Sequence, residues 1–179
     1  QDKDNIVWVP AFNDLPYYTL NRGQSWTQVT LPGNSGNCCL TANYFSREVI
    51  AADRVLDRTF YLYDWANGNI FRTQDGGQNW TAFPGVLSTY AYHGKLKTVP
   101  GQAEHLFFAR GEEQSIPQMD GLFRSTDGGQ SWNKLSGTDE VINFAIGKAA
   151  PDGTYPTLFL QGKVNGEFGY FMSTDEGQT

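Results

Sequence analysis

Cysteine, histidine, methionine and charge are all scarce in this chain. Of 179 residues, two are cysteine, two histidine and two methionine. The cysteines are neighbours, Cys38 and Cys39. Adjacent cysteines seldom bridge each other because the ring is strained, so they read as buried thiols or as one thiol with a partner elsewhere. They report no redox compartment. His93 and His105 lack metal-ligand spacing and have no Cys or Asp cluster beside them, so no metal is expected. No apolar run approaches the roughly 18 residues of a membrane-crossing helix, and no membrane partner is expected. Lys and Arg number 13 against 19 Asp and Glu, a net charge of −6, which argues against a nucleic-acid partner. There is no G-x-S-x-G elbow, phosphate loop or dinucleotide fingerprint, and no cofactor is expected. Gln1 opens no signal peptide, as a mature or trimmed chain would not.

Aromatic residues are plentiful instead: 5 Trp, 9 Tyr and 12 Phe make up 15% of the chain, against only 18% charged residues. That balance suits an aromatic-rich β protein and is common among proteins that handle carbohydrate. A repeat organises these residues. Phe71-Arg72-Thr73-Gln74-Asp75-Gly76-Gly77-Gln78-Asn79-Trp80 returns as Phe123-Arg124-Ser125-Thr126-Asp127-Gly128-Gly129-Gln130-Ser131-Trp132. It begins again at Phe171-Met172-Ser173-Thr174-Asp175-Glu176-Gly177-Gln178-Thr179, one residue short of the expected Trp. A weaker copy, Thr19, Asn21, Gly23 and Trp26, comes first, with Asn in the acidic place. The pattern is Ser/Thr-x-Asp-x-Gly-x-x-Trp. Its acidic or amide position falls at 21, 75, 127 and 175, so successive spacings are 54, 52 and 48 residues. These residue types suit a strand reversal. The carboxylate accepts backbone N–H groups of its own turn, glycine takes positive φ, the hydroxyl adds a local bond and the indole plugs the hairpin base. Thr73, Asp75, Gly77, Trp80, Ser125, Asp127, Gly129, Trp132, Ser173, Asp175 and Gly177 are therefore read as structural; a turn carboxylate holding a cation is the other reading.

Strand signals fill the rest of each period, with almost no helical periodicity. The second unit reads Val49-Ile50-Ala51-Ala52, Phe60-Tyr61-Leu62-Tyr63, Asn69-Ile70-Phe71-Arg72 and Trp80-Thr81-Ala82-Phe83. In the third, a strand is expected from Tyr92 to Val99, then His105-Leu106-Phe107-Phe108-Ala109 and Gly121-Leu122-Phe123-Arg124. The last offers residues 141–146, 157–160 and 169–172. Four short strands per period of about 50 residues predict one blade of a β-propeller. The fold class is all-β, with blade parts at 1–31, 49–83, 92–135 and 141–179 and about three and a half blades of a ring that needs roughly four to eight. Because an open arc exposes the faces of its end blades, the chain is expected to be part of a larger propeller, with copies assembling into a ring as the alternative.

The repeat turns join the third and fourth strands of each blade and lie on one face of the ring. The opposite face receives loops 11–16, 32–48, 64–69, 84–95, 110–120, 136–140 and 162–168, where function would sit on a rigid scaffold. They carry Phe12, Asp14, Tyr44, Trp65, Tyr90, Tyr92, His93, Arg110, Glu112 and Glu113. Trp65, between Asp64 and Ala66 in a polar loop, is the first candidate for a ligand contact: an exposed indole face could stack on the apolar face of a sugar ring, or the indole could anchor its loop on the next blade. Tyr90 and Tyr92, with His93, form a second aromatic group, or simply begin a strand. Glu112 and Glu113 could serve as acid and base, although adjacent loop carboxylates usually point apart.

Several flanking stretches resemble glycoside hydrolase family 74, the xyloglucanases: Ala52-Asp53-Arg54-Val55 with Phe60-Tyr61-Leu62-Tyr63-Asp64, Gly121-Leu122-Phe123-Arg124-Ser125, Ala145-Ile146-Gly147-Lys148-Ala149-Ala150-Pro151 with Tyr155-Pro156-Thr157-Leu158-Phe159, and Gly169-Tyr170-Phe171-Met172-Ser173-Thr174-Asp175. The resemblance covers nearly the whole chain and points to the later part of that family's second propeller. It implies two seven-bladed propellers facing across an open cleft, a secreted protein, a polysaccharide substrate such as xyloglucan or a related β-1,4-glucan, and the rest of its own propeller chain as the packing partner. It also implies inverting hydrolysis by two aspartates, one per propeller, held about 6.5–9.5 Å apart to admit a water. The family's acid lies in a Gly-Asp-x-x-Gly segment that this chain lacks, and its base lies in the other propeller. No catalytic residue is therefore carried over, and Trp65, Tyr90 and Tyr92 remain as candidate substrate contacts. Asn21, the Cys38-Cys39 pair and the long arm 111–119 depart from the family pattern. Two other readings stay open. A sialidase needs an arginine cluster, a nucleophilic Tyr and a partner carboxylate, of which Arg110 alone is visible; a non-catalytic propeller platform needs no catalytic pair at all.

Overall fold

The computed structural model describes residues 2–10, 15–33, 47–111 and 120–178. Every regular element among them is a strand. Among the described residues, no helix is long and apolar enough to cross a membrane. The first sheet holds β1 (Ile6–Trp8), β2 (Tyr17–Thr19) and β3 (Thr27–Gln28). The second holds β4 (Ile50–Ala52), β5 (Phe60–Asp64), β6 (Asn69–Thr73) and β7 (Thr81–Phe83). The third holds β8 (Lys95–Thr98), β9 (Leu106–Ala109), β10 (Leu122–Ser125) and β11 (Asn133–Lys134). The fourth holds β12 (Thr138–Ala149), β13 (Pro156–Val164) and β14 (Glu167–Ser173). All pairing within sheets is antiparallel and follows chain order. Four up-and-down sheets stacked face to face make this an all-β propeller arrangement.

The first strands of the second, third and fourth sheets gather along one groove. Glu48 bridges Lys95 in parallel beside β4 and β8. Residues of β4, β8 and β12, among them Ile50, Ala52, Leu96, Thr98 and Ala145, line a groove of about 520 Å³. Second strands carry the core. Residues 61–63 and all of β9 are fully buried, because each of these strands has a sheet packed on both faces, which turns the usual in–out alternation into a continuous apolar run. One core joins Val9, Val29 and Leu31 to Leu62, Ile70, Phe71, Leu106 and Phe108. The other joins Phe107, Ala109 and Leu122 to Val141, Phe144 and Leu158. β14 alternates instead: Phe168, Tyr170 and Met172 are exposed, while Phe171 is half-buried.

The repeat turns are built as their residue types require. The Thr73 hydroxyl donates to Asp75 Oδ1 (2.8 Å) and accepts the Gly77 N–H (3.0 Å). Asp75 Oδ1 also accepts the N–H groups of Gln78 (3.0 Å) and Asn79 (2.9 Å), and Trp80 Nε1 donates to the Gly77 carbonyl (2.9 Å). Ser125, Asp127, Gly129 and Trp132 repeat the arrangement, and Ser173, Asp175 and Gly177 repeat its first part. Burial pushes the Asp75 and Asp127 carboxyls up. Hydrogen bonds from residue 79 or 131 and from the Thr73 or Ser125 hydroxyl outweigh it and hold both below the usual carboxylate range. Asn21 keeps the turn by a different route: Oδ1 accepts the Thr19 hydroxyl (2.7 Å) and the Ser25 N–H (3.0 Å), while Nδ2 donates to Ser25 Oγ (2.9 Å).

The repeat glycines are demanded by close approach as well as by φ. Gly77 and Gly129 have φ of 106° and 87°. A Cβ on Gly77 would meet Tyr18 Cβ of the preceding blade at 2.8 Å, and one on Gly129 would meet Ile70 Cγ2 at 2.8 Å. Charged side chains add further links between blades. Arg72 on β6 reaches Glu104 (3.2 Å) and the Asp127 carbonyl (3.3 Å) of the third blade, and Arg124 on β10 pairs with Glu176 of the fourth.

In three places the elements differ from the sequence expectation. The strand expected from Tyr92 begins only at Lys95, because Tyr90 has φ of 56° and the chain turns again where the Gly94 N–H donates to the Ala91 carbonyl (3.1 Å). The expected loops 136–140 and 162–168 are largely strand. Asn165 and Gly166 have φ of 49° and 84°, the pair of positive values that a two-residue hairpin turn needs. Val164 and Glu167 therefore pair directly, and Asp139 Oδ2 accepts the Gly166 N–H at 2.7 Å.

Candidate functional site

The loops opposite the repeat turns bring three candidate residues together. Trp65 lies between β5 and β6, while Tyr90 and Tyr92 lie between β7 and β8. Asp64, buried at the end of β5, shapes the first loop. Its Oδ1 accepts the N–H groups of Ala66 (3.2 Å) and Asn67 (3.3 Å), its Oδ2 accepts Asn67 Nδ2 (2.8 Å), and its carbonyl accepts the Gly68 N–H (2.8 Å). Such a side chain folding its own turn is the reason Asp suits this position. The two loops are then tied by backbone: Leu87 N–H donates to the Gly68 carbonyl (3.0 Å) and Tyr90 N–H to the Trp65 carbonyl (2.6 Å). Below them Tyr63 donates its hydroxyl to the Ser88 carbonyl (2.6 Å), and burial holds that phenol well above its ordinary pKa.

The rings form one cluster. Tyr92 is tilted against Trp65 with centroids 5.2 Å apart, and Tyr90 meets it edge-on at 5.8 Å, both within the range of favourable aromatic pairs. The guanidinium of Arg47 lies 4.3 Å from the Trp65 centroid, a cation–π geometry. Trp65 is half-buried and packs against the core, with its Nε1 buried and unbonded among the described residues. Trp65 is thus partly covered by Arg47 and by the core. The exposed rings are Tyr90, at 56% relative exposure, and Tyr92, at 39%. Arg47 carried no signal in the sequence; only the fold brings it to Trp65.

Among the described residues, the other candidates on this face assemble no catalytic group. Arg110 is buried and paired with buried Asp120 at 3.4 Å, so it is engaged in the scaffold and does not form the arginine cluster a sialidase needs. No group of three or more His, Cys, Asp or Glu suited to a metal occurs among the described residues. Phe12, Asp14, Cys38, Cys39, Tyr44, Glu112 and Glu113 lie outside the described residues.

Comparison with known proteins follows the same lines. The family profile of the BNR/Asp-box repeat matches residues 123–134. Xyloglucanase Xgh74A of Acetivibrio thermocellus is 33% identical over 178 residues, which is 99% of this chain and 18% of that protein. A probable oligoxyloglucan-reducing end-specific xyloglucanase of Neosartorya fischeri is 28% identical over 97% of this chain and 20% of its own length. Among solved structures, the Niastella koreensis GH74 enzyme superposes with a TM-score of 0.77 at 26% identity, covering 99% of this chain and 23% of that one. YCF48 bound to D1 peptide shares the fold at a TM-score of 0.55 and 14% identity, over 97% of this chain and 51% of its own. The chain thus spans about a fifth of the length of the curated relatives it matches. Across nearly all of its residues, it is a homologue of one segment of the glycoside hydrolase family 74 xyloglucanases.

Proposed function

We propose that the protein carrying this chain is a secreted glycoside hydrolase that cleaves the β-1,4-glucan backbone of xyloglucan. In it, these blades form part of the second propeller, packed against further blades of the same protein. The observation that carries the reading is the similarity to xyloglucanases along 99% of the chain, at 33% identity. The loop face bearing Trp65, Tyr90 and Tyr92 supplies part of the substrate cleft. Acid and base are two aspartates outside these residues, spaced for a water and hence for inversion. The described residues support this division, because the repeat carboxylates are committed to their own turns.

The test is hydrolysis of xyloglucan by the full-length protein, with the anomeric form of the first product followed by NMR. Release of the inverted anomer is expected. The length distribution of the products separates cleavage within chains from cleavage at reducing ends, the latter being the mode named for the Neosartorya fischeri relative. The 179 residues alone are expected to be inert. A full-length protein that neither binds nor cleaves xyloglucan would overturn the reading in favour of a non-catalytic platform.

A further inference from the structure

We propose that Tyr90 is the sugar-contacting residue of this loop face, and that Trp65, capped by Arg47, is the base that holds it in place. The proposal rests on the functional reading above and goes further by dividing the aromatic cluster into a contact and a support. The first argument is conformational. Among the described residues, seven non-glycine residues have positive φ; six are charged or amide residues, and Tyr90, at 56°, is the only aromatic one. The left-handed region is unfavourable for a bulky side chain, and backbone held there tends to mark functional positions. A turn selected only for stability would place glycine or asparagine at this point.

The second argument is exposure. Tyr90 is 56% exposed although it is large and largely apolar. Its backbone is fixed nonetheless, by its N–H on the Trp65 carbonyl at 2.6 Å and by its ring edge on the indole at 5.8 Å. Trp65 is fixed in turn by Arg47 at 4.3 Å, by Tyr92 at 5.2 Å and by its packing on the core. A rigid, exposed aromatic ring loses little entropy on binding and presents an apolar face with a hydroxyl at its edge. That matches a pyranose unit, which has C–H groups on one face and hydroxyls around its rim.

The experiment uses the full-length protein and titrates xyloglucan oligosaccharides calorimetrically, with thermal denaturation run in parallel. Tyr90→Asn places a residue suited to positive φ at this site. Affinity is expected to fall about tenfold, the loss of one stacked ring, while Tm stays unchanged or rises. Tyr90→Phe keeps the ring and is expected to lose less than about threefold. Unchanged affinity in Tyr90→Asn, or a loss matched by a fall in Tm, would overturn the assignment by making Tyr90 irrelevant to binding or merely structural. If the parent protein binds no xyloglucan oligosaccharide, the functional reading fails and this one fails with it; if the parent binds and Tyr90→Asn binds equally well, only this one fails.

Discussion

Replacing Asp127 tests whether the repeat turn depends on charge or on hydrogen-bond geometry. Its carboxylate accepts the Gln130 N–H (3.1 Å), the Ser131 N–H (3.0 Å) and hydroxyl (2.6 Å), and the Ser125 hydroxyl (2.8 Å). Asp127→Ala loses all four. Each bond contributes about 0.5–1.5 kcal/mol net when buried, and water can replace part of that in a half-exposed turn, so the cost is about 1–3 kcal/mol. Asp127→Asn should cost less than about 1 kcal/mol, since its amide can copy Asn21, which accepts one N–H and donates to Ser25 Oγ. The pH dependence follows from the depressed folded pKa. The carboxylate's advantage is complete above its ordinary value of about 4 and is lost as pH falls through the lower folded value. Thermal denaturation at pH 7 and pH 3 measures both effects, at about 2–4 °C per kcal/mol for a cooperative unit of this size. The gap between the parent and Asp127→Asn should narrow in acid. Asp127→Asn as damaging as Asp127→Ala at pH 7, or a gap that ignores pH, would refute the reasoning.

Gly129→Ala should destabilise by about 2–4 kcal/mol, from positive φ together with the 2.8 Å approach to Ile70. Gly101→Ala, where φ is 77° and nothing lies within 4 Å of the added Cβ, should cost only about 1–2 kcal/mol. Equal midpoint shifts in denaturation would remove the steric part of the argument. Tyr61→Phe should cost about 1–2 kcal/mol, because the buried Tyr61 hydroxyl donates to Asp53 Oδ2 at 2.9 Å; urea unfolding indistinguishable from the parent would show that the bond contributes nothing.

The repeat was legible because each of its residues acts locally: Ser or Thr, Asp, Gly and Trp satisfy one another within a single turn, so spacing alone exposes them. The fully buried second strands were legible for a different reason: with a sheet packed on each face they read as continuous apolar runs. Boundaries set by positive φ were harder. Tyr90 looked like the first residue of an alternating strand, since nothing in its identity announces a left-handed backbone. Asn165-Gly166 did carry the signal of a two-residue hairpin, but the general expectation of long loops on that face concealed it. From sequence, Trp65 ranks ahead of Tyr90 and Tyr92 as a ligand contact, the reverse of the order proposed above. That reversal depends on Arg47, 18 residues upstream of Trp65, and on which ring the fold leaves uncovered.

The repeat glycines give the chain a direction. Gly77 presses on Tyr18, Gly129 on Ile70 and Gly177 on Leu135, so each turn is a plug and the preceding sheet its socket. The second and third blades each carry both halves, a plug for the blade before and a socket for the blade after, so either one contains what a duplicated copy would need to fit between its neighbours. Such head-to-tail contacts, unlike two-fold ones, contain no instruction to stop, and end only when successive rotations bring the last socket round to the first plug. The angle imposed by the glycine contact would then set how many blades make a ring, and a substitution that opened it by a few degrees would act first on that number.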